Sequence, residues 1–174
     1  NPIQGLAYQH SINLTVLDAG GSPGLGTVPV SVATLNNGVA TFDFSYTKAE
    51  NIRIVASGSL PGFPSISGEN SMVITAGAYV KVQVIAPGEV EVPGVPSSTG
   101  KDSSLLQTQA TKENFFVRVN AVDKYWNVVK TLSTPSNPTV KLTASDGSLT
   151  SLPLMSFSNG QAISPAIQLI TPPQ

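Results

Sequence analysis

Alternation with period two runs through nearly every apolar segment of this 174-residue chain, and no segment carries a sustained stripe at helical spacing. Side chains in a strand point alternately to opposite faces, so such a pattern suits a sheet with one buried face. In Ser11–Ala19, Ile12, Leu14 and Val16 share a face, with Asn13 and Thr15 opposite. In Val28–Thr34, Val28, Val30 and Val32 alternate with Pro29 and Ser31, and Pro29 marks an edge or a late start. Asn36-Asn37-Gly38 is a tight-turn signal, because Asn and Gly tolerate positive φ. Further strands are expected over Val39–Tyr46 and Asn51–Ser57. Ser71–Thr75 is expected to pair with Ala78–Ala86 across Ala76-Gly77. In the second half the expected strands are Asn114–Asp123, Val128–Leu132, Thr139–Ala144, Leu152–Phe157 and Gln161–Ile170.

Short strands at this spacing, punctuated by turn residues, imply an antiparallel sandwich or barrel. Between the two runs of strands lies Pro87–Ser104, PGEVEVPGVPSSTGKDSS, with three Pro and three Gly. It reads as a linker. The expected organisation is therefore a sandwich over 1–86, a Pro/Gly-rich linker over 87–103, and a second sandwich over 104–174.

The charge balance narrows the function classes. Nine Lys+Arg against 10 Asp+Glu give a net charge of −1, and only 11% of residues are charged. That is no cationic surface, so nucleic acid is not an expected partner. No Cys and a single His, His10, leave no thiolate zinc site, no disulfide framework and no cysteine nucleophile. No apolar run approaches the length of a membrane helix, so no membrane span is expected. Asn1-Pro2 is not an initiator start, so the chain is expected to be a mature or excised segment. No catalytic constellation is recognisable, and the chain is expected not to be an enzyme.

Two segments echo one another. Leu14-Thr15-Val16-Leu17-Asp18 precedes the turn Ala19–Pro23, and Val119-Asn120-Ala121-Val122-Asp123 precedes Lys124–Val128. Each strand ends in Asp, whose carboxylate can accept from turn N–H groups a few residues on. The second segment, Val117-Arg118-Val119-Asn120-Ala121-Val122-Asp123-Lys124-Tyr125-Trp126-Asn127-Val128-Val129, resembles a strand–turn pattern of bacterial immunoglobulin-like, filamin-like repeats, V-x-V-x-A-x-D-x-x-x-N-x-V. Pro87-Gly88-Glu89, Pro93-Gly94 and Gly100-Lys101 are similar to the connection between such repeats. Asp18–Pro23 is similar to their D-x-x-G-x-P turn, and Gly38–Phe42 with Ile52–Ala56 to their late strands.

The resemblance implies two tandem immunoglobulin-like antiparallel β-sandwiches from a large secreted or cell-surface protein. The implied role is a stalk, a filament subunit or an adhesin segment. Residues 104–174 are short for such a domain of roughly 100 residues, and Pro172-Pro173 stands where a final strand is due. Either the chain is cut from a longer array, or another subunit supplies the strand. The expected partners are copies of the chain or neighbouring repeats, with segments 1–10 and 161–174 as donors and acceptors.

Two candidate sites follow. Glu89, Glu91 and Asp102 in the linker, with Asp123 and Asn127 in the turn, offer oxygen ligands for a calcium ion that would stiffen the joint. A solvated linker and a turn-capping Asp is the plainer reading. Tyr125 and Trp126 offer aromatic faces to a polysaccharide, as in a carbohydrate-binding or accessory module of a secreted enzyme. Packing of one ring against the linker is the competing reading.

Overall fold

The structure is a computed structural model and describes residues 11–28, 31–59, 65–95, 99–110, 112–132, 138–144 and 152–169. Among them the chain is all β, without helix, in several antiparallel sheets. None of the described residues forms a helix long and apolar enough to cross a membrane. The chain divides into two compact units, Asn1–Thr75 and Ala76–Gln174. His10, Pro29 and the expected donor segment 1–10 lie outside the described residues, as do 170–174.

In the first unit the strands are β1 (Ser11–Leu17), β2 (Gly26–Thr27), β3 (Val32–Thr34), β4 (Ser45–Tyr46), β5 (Asn51–Gly58) and β6 (Ile66–Val73). Four of them form a sheet in the order β3-β1-β5-β6, and β2 pairs with β4. Antiparallel register places Leu14 opposite Ala56 and Val16 opposite Ile54. Ile52, Ile54 and Ala56 lie in turn opposite Met72, Asn70 and Gly68. One face of the sheet is therefore mainly apolar, and the other carries Asn13, Thr15, Arg53 and Glu69. Val16 and Ile52 are its buried hydrophobics among the described residues. The turn at Asn36-Asn37-Gly38 is as expected: φ is 51° at Asn37 and 79° at Gly38, and Asn36 and Val39 exchange both backbone hydrogen bonds. Of the strand expected over Val39–Tyr46, β4 is the part that forms a strand, and Val39 makes a single bridge to Asn36.

In the second unit the strands are β7 (Lys81–Ile85), β8 (Val90–Glu91), β9 (Lys101–Asp102), β10 (Asn114–Phe115), β11 (Arg118–Val122), β12 (Thr139–Val140), β13 (Met155–Ser156), β14 (Gln161–Ile163) and β15 (Ile167–Gln168). The central sheet runs β14-β11-β7, with hairpin or pair partners β8-β9, β10-β15 and β12-β13. Val119 and Ala121 of β11 are fully buried and pack with Met155, Phe157 and Ala162, joined by Leu132, Val140 and Leu142.

Two pairings differ from expectation. Ser71–Thr75 does not pair with Ala78–Ala86. Instead β6 continues the ladder on β5, and β7 pairs with β11, Lys81 to Val122 through Ile85 to Arg118. Alternation locates a strand but carries no information on its partner, and Ala76-Gly77 makes no tight reversal because the Gly77 amide is held by the Asp123 carboxylate, 2.9 Å away. Second, the Pro/Gly-rich stretch expected to link the units belongs with the second one. Val90 and Glu91 pair with Asp102 and Lys101, and the Gly94 amide donates to the Tyr125 carbonyl at 2.7 Å. Expected strands shorten elsewhere: Thr139–Ala144 reduces to β12, Leu152–Phe157 to β13, and Val128–Leu132 to a single bridge from Val128 to Val122.

Truncating Phe157 to Ala removes the largest ring of the second unit's core and is expected to cost about 3–5 kcal/mol. Denaturant unfolding of the variant against the parent chain checks this, and a loss below about 1 kcal/mol would mean that the described core is not packed this way.

Candidate functional site

The polar residues of the second unit gather on the reverse of its core sheet. β11 presents Val119 and Ala121 to the core, so the residue between them, Asn120, must point the other way. Register places Gln83 of β7 and Gln161 of β14 on either side of it. Asn120 is completely buried and Gln83 nearly so. A buried amide must find partners or carry a penalty of about 1–3 kcal/mol for each unmet group. Asn120 finds three: its Nδ2 donates to Gln83 Oε1 at 3.1 Å and to Glu91 Oε1 at 2.9 Å, and its Oδ1 accepts from Gln161 Nε2 at 3.1 Å. Gln83 Nε2 donates onward to the Gly100 carbonyl at 2.6 Å. Glu91 also meets the Arg118 guanidinium at 2.5 Å. One polar row thus ties three strands to the β8–β9 hairpin.

The same inversion sets the faces of β7. Gln83 and Ile85 are buried, whereas Val82 and Val84 are each 42% exposed, because β7 is the edge of its sheet and the Pro/Gly-rich stretch covers the Gln83 side.

Glu89 ties down the start of that stretch. Its carboxylate accepts from the Ala86 amide at 2.8 Å, from Lys101 Nζ at 2.8 Å and from Ser103 Oγ at 2.6 Å. Burial pushes this carboxyl up, but the bonds from Lys101, Ser103 and Ala86 outweigh it and hold the group at about 2. Lys101 reaches the Val84 carbonyl as well, at 3.0 Å.

Asp123 closes the turn after β11. Its Oδ1 accepts the Tyr125 and Asn127 amides at 2.8 and 3.0 Å, and its Oδ2 accepts the Gly77 amide and Asn127 Nδ2, each at 2.9 Å. Burial raises this carboxyl, and the four donors, Asn127's side chain foremost, bring it below the usual range. The echo in the first unit is local too: Asp18 Oδ1 accepts the Gly20 and Ser22 amides, both at 2.9 Å.

The five residues considered for calcium do not converge as one ligand set: of them, Asp123 and Asn127 bond to each other. Asp102 is exposed, and its carboxylate accepts the Ser104 amide at 2.8 Å, which with the Ser104 hydroxyl lowers it. Glu89, Glu91 and Asp123 are each engaged by their own donors, and Asn127 serves Asp123. Among the described residues no three of His, Cys, Asp and Glu group as metal ligands.

Tyr125 and Trp126 do not form a paired aromatic platform. Trp126 adopts a left-handed backbone, φ 68°. Lys81 Nζ sits 3.2 Å from its ring centroid, and its indole lies so close over Gly100 that no side chain fits there. Its Nε1 is buried and has no hydrogen-bond partner among the described residues. Tyr125 is half-buried, with Lys124 Nζ 4.6 Å from its ring. Trp126 therefore packs onto the β8–β9 hairpin, the competing reading of the sequence.

The first unit has a smaller clamp. Tyr46 lies over Gly24 and Gly26, and its hydroxyl donates to Glu50 Oε1 at 2.5 Å. Burial, then the bond to Glu50, push this phenol up to about 12. Sequence reasoning missed Gln83, Asn120, Gln161, Lys101 and Arg118. A polar residue at the centre of an alternating strand, as Asn120 is in VNAV, was the available signal.

No family model, no curated protein and no solved structure matches this chain.

The Glu89 bonds have a consequence for acid stability. A carboxyl whose folded value lies below its unfolded one stabilises above the unfolded value, and that stability is lost as pH falls through the folded one. The second unit is expected to weaken between about pH 4.5 and about pH 2, and Glu89→Gln to flatten that part of the profile. Denaturant midpoints measured at half-unit steps check it; a variant with the parent's slope would show that Glu89 is not held as described.

Proposed function

We propose that this chain is a non-enzymatic structural module of an extracellular or cell-surface protein. In this reading two tandem immunoglobulin-like sandwiches act as a stalk, filament or adhesin segment. The observation that carries it is the use made of the second unit's charged and amide side chains. Glu89, Glu91, Asp123, Asn120 and Lys101 are all engaged in holding loops and strands of their own unit. They build a spacer in which even the described part of the Pro/Gly-rich stretch is held in place. Two compact all-β units in succession suit the same role. The low charge content and turn-rich texture accord with an extracellular setting. Neighbouring repeats or further copies of the chain are the partners this role calls for. The polysaccharide reading loses its platform, since the Trp126 ring is covered by Lys81 and Gly100.

A spacer that transmits tension should yield one unit at a time. Pulling on the chain by its ends is expected to show two separate unfolding events. Their lengths follow from the sizes of the units, roughly 25 nm for Asn1–Thr75 and roughly 33 nm for Ala76–Gln174, less the folded dimensions. A single featureless extension at low force would overturn the reading.

A further inference from the structure

The edge strand β6 is unusual for what it leaves open. All eight of its residues, Ile66 to Val73, are exposed. It pairs with β5 on one side, and among the described residues nothing pairs with the other. Protein edges are normally blunted by shortness, Pro, Lys or a bulge. β6 is eight residues long, its register on β5 is unbroken from Ile66 to Val73, and ISGENSMV contains neither Pro nor Lys; its single charge is Glu69.

The backbone direction follows from one bond. The Ile74 amide donates to the Glu50 carbonyl at 2.9 Å, continuing the β5–β6 ladder. In an antiparallel pair, alternate residues turn both polar backbone groups toward the partner. Met72, Asn70, Gly68 and Ile66 therefore face β5, while Val73, Ser71, Glu69 and Ser67 present their N–H and C=O groups outward. A second observation agrees: the Ser71 amide is capped by the Asn70 side chain, Oδ1 at 2.9 Å, a local stand-in for a missing strand.

We propose that two copies of this chain pair antiparallel along β6. The outward residues fix the register. Hydrogen-bonded pairs must join odd-numbered residues to odd-numbered ones. The longest such register sets Ser67 against Val73 and Glu69 against Ser71, with the two Asn70 residues on the two-fold axis. It makes about eight main-chain hydrogen bonds. The register one step to one side sets Glu69 against the partner's Glu69, a like-charge pair; one step to the other shortens the ladder. The chosen register also keeps each sheet's apolar face on the same side, placing Gly68 across from the partner's Met72. The contact is isologous, so it closes at two copies. It is independent of the spacer reading and stands whether or not that reading holds.

Sedimentation velocity on the full chain over a wide concentration range tests it. The parent chain is expected to pass from 18.0 kDa to twice that mass as concentration rises. Ser71→Pro removes an outward N–H that β5 does not use, so it should spare the fold, checked by circular dichroism, and abolish the dimer. Ser71→Lys places an ammonium opposite the partner's Glu69 and should tighten the dimer by about tenfold; Ser71→Glu should weaken it similarly. Within one copy these two changes act the other way, because Ser71 lies opposite Arg53. Altered folding therefore cannot mimic the result. A parent chain that stays monomeric throughout overturns the proposal, as does an open polymer. So does a dimer indifferent to Ser71→Pro, or charge variants that shift it in the reverse sense.

Discussion

The second unit depends on one buried amide. Asn120 sits at the middle of the central strand, completely shielded from water, and a polar side chain there is tolerable only if its donors and acceptor are met. Gln83, Gln161 and Glu91 meet them. Each of those partners comes from a different piece of chain. Satisfying Asn120 therefore aligns β7 and β14 on β11 and draws the β8–β9 hairpin onto the sheet. The opposite face of the same strand buries Val119 and Ala121, so β11 carries both the apolar core and the polar layer. Buried polar networks of this kind specify one arrangement because any slip of register leaves groups unpaired.

The hairpin is where composition and physics diverge. Three Pro and three Gly between Pro87 and Ser104 signal turns, and turns in a row resemble a linker. Whether turns pack is decided by side chains distant in sequence. Glu89 and Lys101 are twelve residues apart, and only the β8–β9 pairing brings them to 2.8 Å. Gly100 then admits the Trp126 indole where any side chain would collide. None of these meetings has a local sequence signal. The strands themselves were legible, because Ile12, Leu14 and Val16, or Val117, Val119 and Ala121, repeat at the period of a pleat. Partners are not, because nothing in the alternation of β7 says that it belongs beside β11 and not β6. Its Val82 and Val84 show why pattern alone misleads: an edge strand can leave its apolar residues half in water while Gln83 is buried.

At the candidate site, the part written locally was legible. Asp123 caps its turn through Tyr125 and Asn127, two and four residues on, as a strand-end carboxylate should. The part requiring distant groups was not. Five oxygen-bearing residues resemble a calcium shell only as long as their partners are left out; Lys101, Arg118, Asn120 and the Gly77 amide engage three of the carboxylate oxygens involved. The first unit contrasts with this. Its sheet has one mainly apolar face and one that mixes polar residues with Leu17, Val55 and Val73, yet Val16 and Ile52 are its buried hydrophobics among the described residues, and its long strand β6 stays exposed.

Residues 87–95 and 99–104 of the Pro/Gly-rich stretch form a fixed layer of the second unit. Amide hydrogen exchange tests it residue by residue. The Val92 and Gly94 amides donate to the Gly100 and Tyr125 carbonyls, both at 2.7 Å, and are expected to exchange orders of magnitude more slowly than in an unstructured chain, alongside the amides of β11. Exchange of Val92 and Gly94 at the unstructured rate, with β11 still protected, would show instead that the stretch is a linker.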